Sequence, residues 1–385
     1  MAEVLAAYNC ALIADMFGDA PCSQAALIDE NGSPVYLTPK MDKQEEIYTQ
    51  AMQYLDDAIA DLQKEDLIDP EAQDLLYQGD AEKWLKLAYG LKARYTMHLL
   101  KRSANKDADM EKVLEYVNNS FESAEEQAAF DVYDANNINP LYGFFVARAG
   151  LGASESMRSK LAEYNDPRLS RAFITKQGTS GKEQAPGTAD NAVYAPNGTP
   201  EQGTSKYGTS LFMYSISAPT LLLSYHELKF LEAEALCRLE RDAKSALKDA
   251  VVAGLLNAEN SFTISRKELG KTLINAASSI TEAEAESYFD NTIEAKYTAE
   301  PLKTTMIQKY FALWGASGEA TESYNDVRRM KGLGENFIEL KNPNSFPLRC
   351  PYGNSDTTTN AEVKAAYGNG QYVYSENVWW AGGSR

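Results

Sequence analysis

The sequence predicts a mainly α-helical fold, a tetratricopeptide-like scaffold of helix pairs that carries long irregular loop excursions. Apolar residues recur at helical spacing in two parts of the chain, and no helix predicted there can bury its apolar face alone. Strand-like alternation is rare and short. A long middle part rich in Asn, Gly, Pro, Ser and Tyr separates the helical parts. No strict repeat of about 34 residues is present, so the prediction concerns architecture only.

The first helical part covers about residues 3–126. Its predicted helices have apolar residues at helical spacing, and two of them begin with a capping signal. They are Glu3–Phe17, the segment from the Asp42 and Glu45 capping pair to Leu62, the segment from the Asp80 N-cap through Trp84 to Leu99, and Met110–Val117. Gly18 is predicted to end the first helix with a positive φ, and Trp84 to be a packing anchor.

The middle of the chain, about residues 127–217, is predicted to be a loop-rich excursion. Its most irregular part, 177–207, is punctuated by Gly and Pro and cannot hold a long regular element. A stretch of this length is either disordered or a functional loop. The aromatic residues Tyr194, Tyr207 and Tyr214 favour the ordered, functional alternative.

A second helical part is predicted at about residues 219–331, followed by a loop-rich C-terminal segment, 332–385. Its predicted helices are Tyr225–Leu239, Ala243–Leu256, a helix that starts at the Thr281 and Glu284 capping box, Leu302–Trp314 and Gly318–Lys331. Trp379 and Trp380, close to the end of the chain, are predicted to dock this tail onto the scaffold.

Composition restricts the partners. The net charge is −18, which argues against binding to nucleic acid or to an anionic lipid surface and permits neutral or cationic ligands. Hydrophobic residues make up 44% of the chain, so it is not a disordered tail. No apolar run approaches the roughly 20 residues that cross a bilayer.

Cysteine and histidine are too scarce to indicate a metal centre. The four cysteines are scattered, although a Cys10–Cys22 bridge is one alternative in an exported protein and a pair of buried thiols is the other. His98 and His226 lie in helical patterns and are predicted to be packed core residues. Asp131, Asp134 and Asn136 do not match a known calcium loop, so no metal site is predicted.

Several phrases occur in an order that resembles the SusD/RagB family, in particular its SusD-like branch. They are Phe17-Gly18-Asp19-Ala20-Pro21, Gln44–Leu62, Gly79–Arg94, Asn165–Leu169 with its Asp-Pro-Arg turn, Tyr225–Ala235, Gln308-Lys309-Tyr310, and Asn325–Arg329. Each phrase alone is weak, but their common order covers most of the chain. One departure is that the family usually has a tryptophan shortly before the Arg328-Arg329 pair, where this chain has Glu322 and Tyr324.

The resemblance implies a single SusD-like domain over residues 1–385. It implies a glycan-binding protein on the outward face of the outer membrane, which captures oligosaccharide or polysaccharide for a SusC-like TonB-dependent transporter. Membrane attachment would be through a lipid anchor on an N-terminal segment that this chain is expected to lack. The alternative is an interaction scaffold or lid for the transporter that binds a peptide or another non-sugar ligand.

The candidate ligand-binding residues are tyrosines and asparagines of the excursion, because sugars stack on flat rings and bond to amides. They are Tyr133, Asn136, Asn137, Tyr142, Tyr194, Asn197 and Tyr207, with Asn139 in the same cluster. The alternative is that these rings only pack the loops onto the helices. No nucleophile, zinc, phosphate-loop or dinucleotide motif occurs, so the sequence predicts no enzyme, no catalytic residue and no cofactor.

Overall fold

Helices form most of the chain in the computed structural model, which describes residues 1–64, 70–148, 151–177, 183–188, 190–198, 206–342 and 344–385. The helices are α1 (Ala2–Phe17), α2 (Gln44–Leu62), α3 (Ala81–His98), α4 (Lys106–Asn118), α5 (Pro140–Arg148), α6 (Glu155–Glu163), α7 (Tyr225–Arg238), α8 (Lys244–Leu269), α9 (Glu282–Tyr288), α10 (Glu294–Ala299), α11 (Pro301–Ala312), α12 (Ala320–Leu333), α13 (Asn354–Thr359) and α14 (Ala361–Tyr367). The prediction of a mainly helical, tetratricopeptide-like fold is confirmed.

The helices stack in sequence order. Helix α1 packs on α2, α2 on α3, α3 on α4, α4 on α7, and α7 on α8. Neighbouring helices bury their apolar stripes against each other, which none could do alone. One apolar core lies among α1–α4 and includes Trp84, and another surrounds α8 and includes Phe262.

The starts of α2 and α3 test the N-caps that the sequence predicts. Asp80 accepts a hydrogen bond from the Lys83 N–H at 3.1 Å and is the N-cap of α3, as predicted. The prediction that Asp42 caps α2 is wrong. Its carboxylate accepts from the N–H groups of Cys22 and Ser23, because the chain folds back over residues 20–23.

The carboxylate that serves the start of α2 comes from elsewhere. Asp19, in the turn after α1, accepts from the Gln44 N–H at 2.9 Å. Gly18 in that turn has φ of +80°, and a Cβ there would lie 2.8 Å from an Arg349 nitrogen. The Gly-Asp pair of the turn therefore links two helices, and its glycine is required by both backbone conformation and space.

Helix α8 is longer than predicted. The expected end at Leu256 is replaced by an end at Leu269, because tertiary packing carries the helix through the polar residues 257–261. Phe262 stacks on Phe212 with ring centroids 4.7 Å apart, and Ser265 bonds to Ser215 at 2.7 Å.

The excursion contains short strands and two helices. The strands are β1 (Ala128–Phe130), β2 (Phe173–Gln177), β3 (Glu183–Pro186), β4 (Thr209–Ser210) and β5 (Thr220–Leu223). Antiparallel β1 and β5 form one sheet, with Phe130 opposite Thr220, and β3-β2-β4 form another. The predicted irregular stretch lies partly outside the described residues, at 178–182, 189 and 199–205.

Buried ion pairs join the helices. Arg94 on α3 bonds to Glu227 on α7, and Arg329 on α12 bonds to Glu234 on α7 and Asp326. These guanidinium groups therefore hold structural ion pairs.

The C-terminal tail docks as predicted. Trp380 is fully buried and its Nε1 donates to Asp15 at 2.9 Å. Trp84 is also buried, and its Nε1 donates to Asp74 at 2.6 Å, so its role as a packing anchor is confirmed. None of the helices in the described ranges combines the length and apolar character needed to cross a bilayer.

Candidate ligand-binding surface

Tyr133 lies at the edge of the β1–β5 sheet. The loop that follows β1 returns beside β5, so the Tyr133 hydroxyl comes within 2.9 Å of the Thr220 Oγ1. Its ring meets Phe130 edge to face at 5.1 Å between centroids. The residue is half-buried, which leaves part of a fixed ring accessible to solvent.

The next residues form a turn closed by Asp134. Its Oδ1 accepts from the N–H groups of Asn136 and Asn137, both at 2.7 Å, and these backbone bonds lower the pKa of the Asp134 carboxyl. The side chains of Asn136 and Asn137 are exposed at the tip of the turn. Asn139 is different, since it is buried and bonds to the carbonyls of Ala218 and Ala316.

Helix α5 brings Tyr142 against α8. The Tyr142 hydroxyl donates to Glu268 Oε1 at 3.1 Å, and burial, followed by this carboxylate, raises the pKa of Tyr142. Phe145 of the same helix is buried against Tyr214. Phe144 instead is 51% exposed, so α5 displays an aromatic ring to solvent.

A groove of about 430 Å³ runs along α8, on the N-terminal side of the Tyr142 contact. Its floor is apolar, with Val252 and Leu256, and Gln127, Tyr225, Asn257 and Asn260 supply amides and a half-buried ring. The Gln127 Oε1 accepts from the Tyr225 N–H at 3.2 Å, which fixes the segment before β1 against α7.

Asn257, at the edge of the groove, lies in line with the Tyr142 partner Glu268 along α8, since the two are about three helical turns apart. Asn257, Asn260 and Glu268 follow each other at separations of three and eight residues, which places them on neighbouring positions of a helix surface. Glu268 lies about 12 Å beyond Asn260 along the helix axis. The surface made by the groove, Tyr142 and the Asp134 turn is named the α8 surface below.

Tyr194, Asn197 and Tyr207 form a second patch. The Gly208 N–H donates to the Val193 carbonyl at 2.9 Å, so Tyr194 and Tyr207 flank a paired segment. The Tyr194 ring packs edge to face on Phe173 and beneath the Arg158 guanidinium, and Tyr207 is buried. Asn197 accepts from Ser154 at 2.9 Å.

The candidate ligand-binding residues therefore lie in two separate places, the α8 surface and the second patch. Within the described ranges, no hydrogen bond or ring contact joins the second patch to the α8 surface. The sequence prediction missed Gln127, Tyr225, Asn257 and Asn260. The two asparagines were a usable signal, because amides three residues apart share a side of a helix.

The one group of three metal-ligating side chains found among the described residues is Asp15, His98 and Glu322. Burial lowers the pKa of His98, but Asp15 and Glu322 outweigh it and raise the value to about 9. The resulting imidazolium bonds to Glu322 at 2.9 Å and to the Tyr48 hydroxyl at 2.9 Å. The three side chains are therefore joined by hydrogen bonds between charged groups, which link α1, α3 and α12.

The comparisons with known proteins identify the family. A family model described as "SusD-like, starch-binding associating with outer membrane" matches residues 1–352. The chain belongs to this SusD-like family.

Solved structures agree with the assignment. A SusD/RagB family protein from Bacteroides thetaiotaomicron is 67% identical with a TM-score of 0.94, and the match covers 100% of this chain and 80% of that one. A SusD homolog from Bacteroides fragilis is 19% identical with a TM-score of 0.73, over 99% of this chain and 83% of its own. A chitin-binding protein shares the fold at 21% identity and a TM-score of 0.70, over 99% and 80%. No curated protein matches this SusD-like chain.

Proposed function

We propose that this SusD-like protein captures a neutral glycan chain at the α8 surface and holds it without hydrolysing it. The observation that carries the proposal is the series of rings and amides along α8, where Tyr225, Asn257 and Asn260 line one groove and the half-buried ring of Tyr142 follows at Glu268. Sugars present apolar C–H faces and hydroxyl groups, and these are the contacts that rings and amides make.

The shape of the site suits a polymer. The groove is open to solvent along α8, so a chain could lie across it with both ends free. Three carboxylates and one cation, Lys248, line the groove, so its local charge is negative, and the whole chain carries a net charge of −18. Uronic-acid or sulfated glycans would be repelled, whereas neutral or amino sugars would be accepted.

The family description supports the setting. A family that binds starch and associates with the outer membrane fits a protein held on the outward face by a lipid anchor, which passes glycan to a SusC-like TonB-dependent transporter. Binding without cleavage fits this role, since capture and transfer of a glycan require no bond to be broken. The lipid anchor, the transfer of glycan to a transporter and the absence of hydrolysis are each proposed here.

Substitutions on the α8 surface should weaken binding. Asn260→Ala removes an amide from the groove, and Tyr142→Ala removes the ring that follows at Glu268. Each change is expected to weaken affinity for the best-bound glycan about tenfold, because a few buried anchors dominate such interfaces. Isothermal titration with purified variants gives the values. Tyr374→Ala, at a 63% exposed tyrosine of the C-terminal segment, is the matched control and should bind as the wild type does.

Two further variants locate the site. Tyr194→Ala with Tyr207→Ala tests the second patch, and a loss there with full binding in Asn260→Ala would move the site away from α8. Tyr142→Phe keeps the ring and removes the bond to Glu268, so retained affinity in this variant assigns the contribution to stacking. Equal affinities in all of these proteins would contradict the proposal.

A second candidate is a transporter lid or scaffold with no sugar affinity. It is favoured by the apolar residues exposed between α1 and α2, of which Ile28 is 66% and Leu37 is 86% exposed. For such a protein the Tyr194→Ala and Tyr207→Ala changes would leave glycan binding at the same undetectable level as in the wild type. Saturable glycan binding by the wild type would exclude it.

A further inference from the structure

Cys10 and Cys22 face each other where α1 meets the segment that leads to α2. Their Sγ atoms are 3.2 Å apart, and the two thiols share a hydrogen bond. Both side chains are half-buried. A disulfide needs a sulfur separation of about 2.05 Å, so closing the bond requires roughly 1.1 Å of approach, which small side-chain rotations supply.

The backbone on each side is already fixed. Cys10 lies in the middle of α1, and the Cys22 N–H donates to Asp42 Oδ2 at 2.9 Å. Ser23 donates to the same carboxylate through its N–H and its hydroxyl, both at 2.7 Å. The two sulfurs are therefore held together by structure that does not depend on a bond between them.

The other two cysteines lack such a partner. All four cysteines lie in the described part of the chain, where Cys237 has its sulfur 3.7 Å from the Thr305 hydroxyl. No sulfur contact joins Cys237 or Cys350 to another cysteine there. They serve as internal controls for any thiol chemistry at the first pair.

We propose that Cys10 and Cys22 form a site of covalent oxidation, at which a disulfide-bearing oxidant converts the two thiols into an intramolecular disulfide. The Cys10 thiolate attacks one sulfur of the oxidant, forming a mixed disulfide and releasing one thiolate. The Cys22 thiol then loses its proton and attacks the Cys10 sulfur, releasing the second thiolate. The protein loses two electrons and two protons, and the oxidant is reduced to two thiols.

The order of attack follows from the environment of the two groups. The hydrogen bond between the two thiols lowers the pKa of Cys10 and raises the pKa of Cys22. The thiolate is the nucleophile, so Cys10 attacks first and Cys22 resolves. The bond would fix the base of the segment between α1 and α2 to α1, below the exposed residues Ile28 and Leu37.

The test uses the full chain and glutathione disulfide as the oxidant. After incubation and removal of the reagent, denatured protein is titrated for free thiols and its intact mass is measured. Two free thiols should remain of the four, with a mass loss of about 2 Da, and peptide mapping should recover Cys10 linked to Cys22. Oxidised protein should melt about 3–6 °C higher than reduced protein, because the bond closes a loop between residues 12 positions apart.

Two variants separate this pair from the others. Cys237→Ser with Cys350→Ser should still lose both remaining thiols, whereas Cys10→Ser should keep all of its thiols. Four free thiols in the oxidised wild type, or a link that includes Cys237 or Cys350, would overturn the proposal. The thiol titration of the wild-type protein is sufficient to contradict the proposal, so the test does not depend on the stability of any variant.

Discussion

Replacing Arg329 with Met is expected to lower the free energy of unfolding by about 3–5 kcal/mol. The Arg329 side chain is fully buried between Glu234 on α7 and Asp326 on its own helix, with nitrogen–oxygen distances of 2.8 and 2.7 Å. Burial raises the pKa of Glu234, but Arg329 and its neighbours outweigh it and hold that carboxyl ionised. Removing the guanidinium therefore leaves buried negative charge without its main partner. Urea unfolding followed by circular dichroism gives the difference.

The matched control is an ion pair of the same type at the surface. Arg241 bonds to Glu111, and both side chains are 50% exposed, so Arg241→Met should change the stability by less than about 1 kcal/mol. Glu234→Gln combined with Arg329→Met should cost less than the sum of the single changes, since the two groups depend on each other. A single Arg329→Met change that costs no more than the control would show that the buried pair contributes little.

The second large effect is a loss of stability as pH rises toward 9. His98 has its pKa raised from 6.5 to about 9 in the folded protein, because Asp15 and Glu322 outweigh the effect of burial. Because the pKa of His98 is higher in the folded protein than in the unfolded chain, its protonation stabilises the fold. This contribution is fully present below about pH 6.5 and is lost as pH rises through about 9. A shift of this size corresponds to about 3 kcal/mol.

The change in the free energy of unfolding with pH can be measured separately from the stability that the substitution itself removes. His98→Gln should be less stable than the wild type near pH 6.5, and its free energy of unfolding should fall much less between pH 6.5 and about 9. Equal slopes in wild type and His98→Gln would contradict the assignment of the effect to His98.

The sequence predicted the helical scaffold well at positions where the local pattern alone determines the structure, such as an N-cap, an apolar stripe or a glycine with positive φ. The Asp80 N-cap and the apolar stripe through Trp84 identified α3, and Gly18 adopts the predicted positive φ. The prediction that Asp42 caps α2 was wrong because its carboxylate accepts hydrogen bonds from another segment of the chain. A capping pair in sequence does not reveal that the chain folds back to bring Cys22 and Ser23 to that side chain.

The site was less accessible to sequence reasoning. Tyr133 and Tyr142 were found by composition, yet their neighbours Thr220 and Glu268 are more than 80 residues away along the chain. Asn260 lay beyond the predicted end of α8, because only the packing of Phe262 shows that the helix continues. Ligand-binding roles for the predicted tyrosines and asparagines stay predictions.

Glycan capture without cleavage is tested most directly by one titration. The wild-type protein is titrated calorimetrically with a panel of neutral plant, host and microbial glycans, and each recovered glycan is assayed for new reducing ends. The expected result is saturable binding to at least one glycan, with reducing ends at the level of the protein-free blank. Reducing ends that increase with protein concentration, or flat heats for every glycan in the panel, would contradict the account.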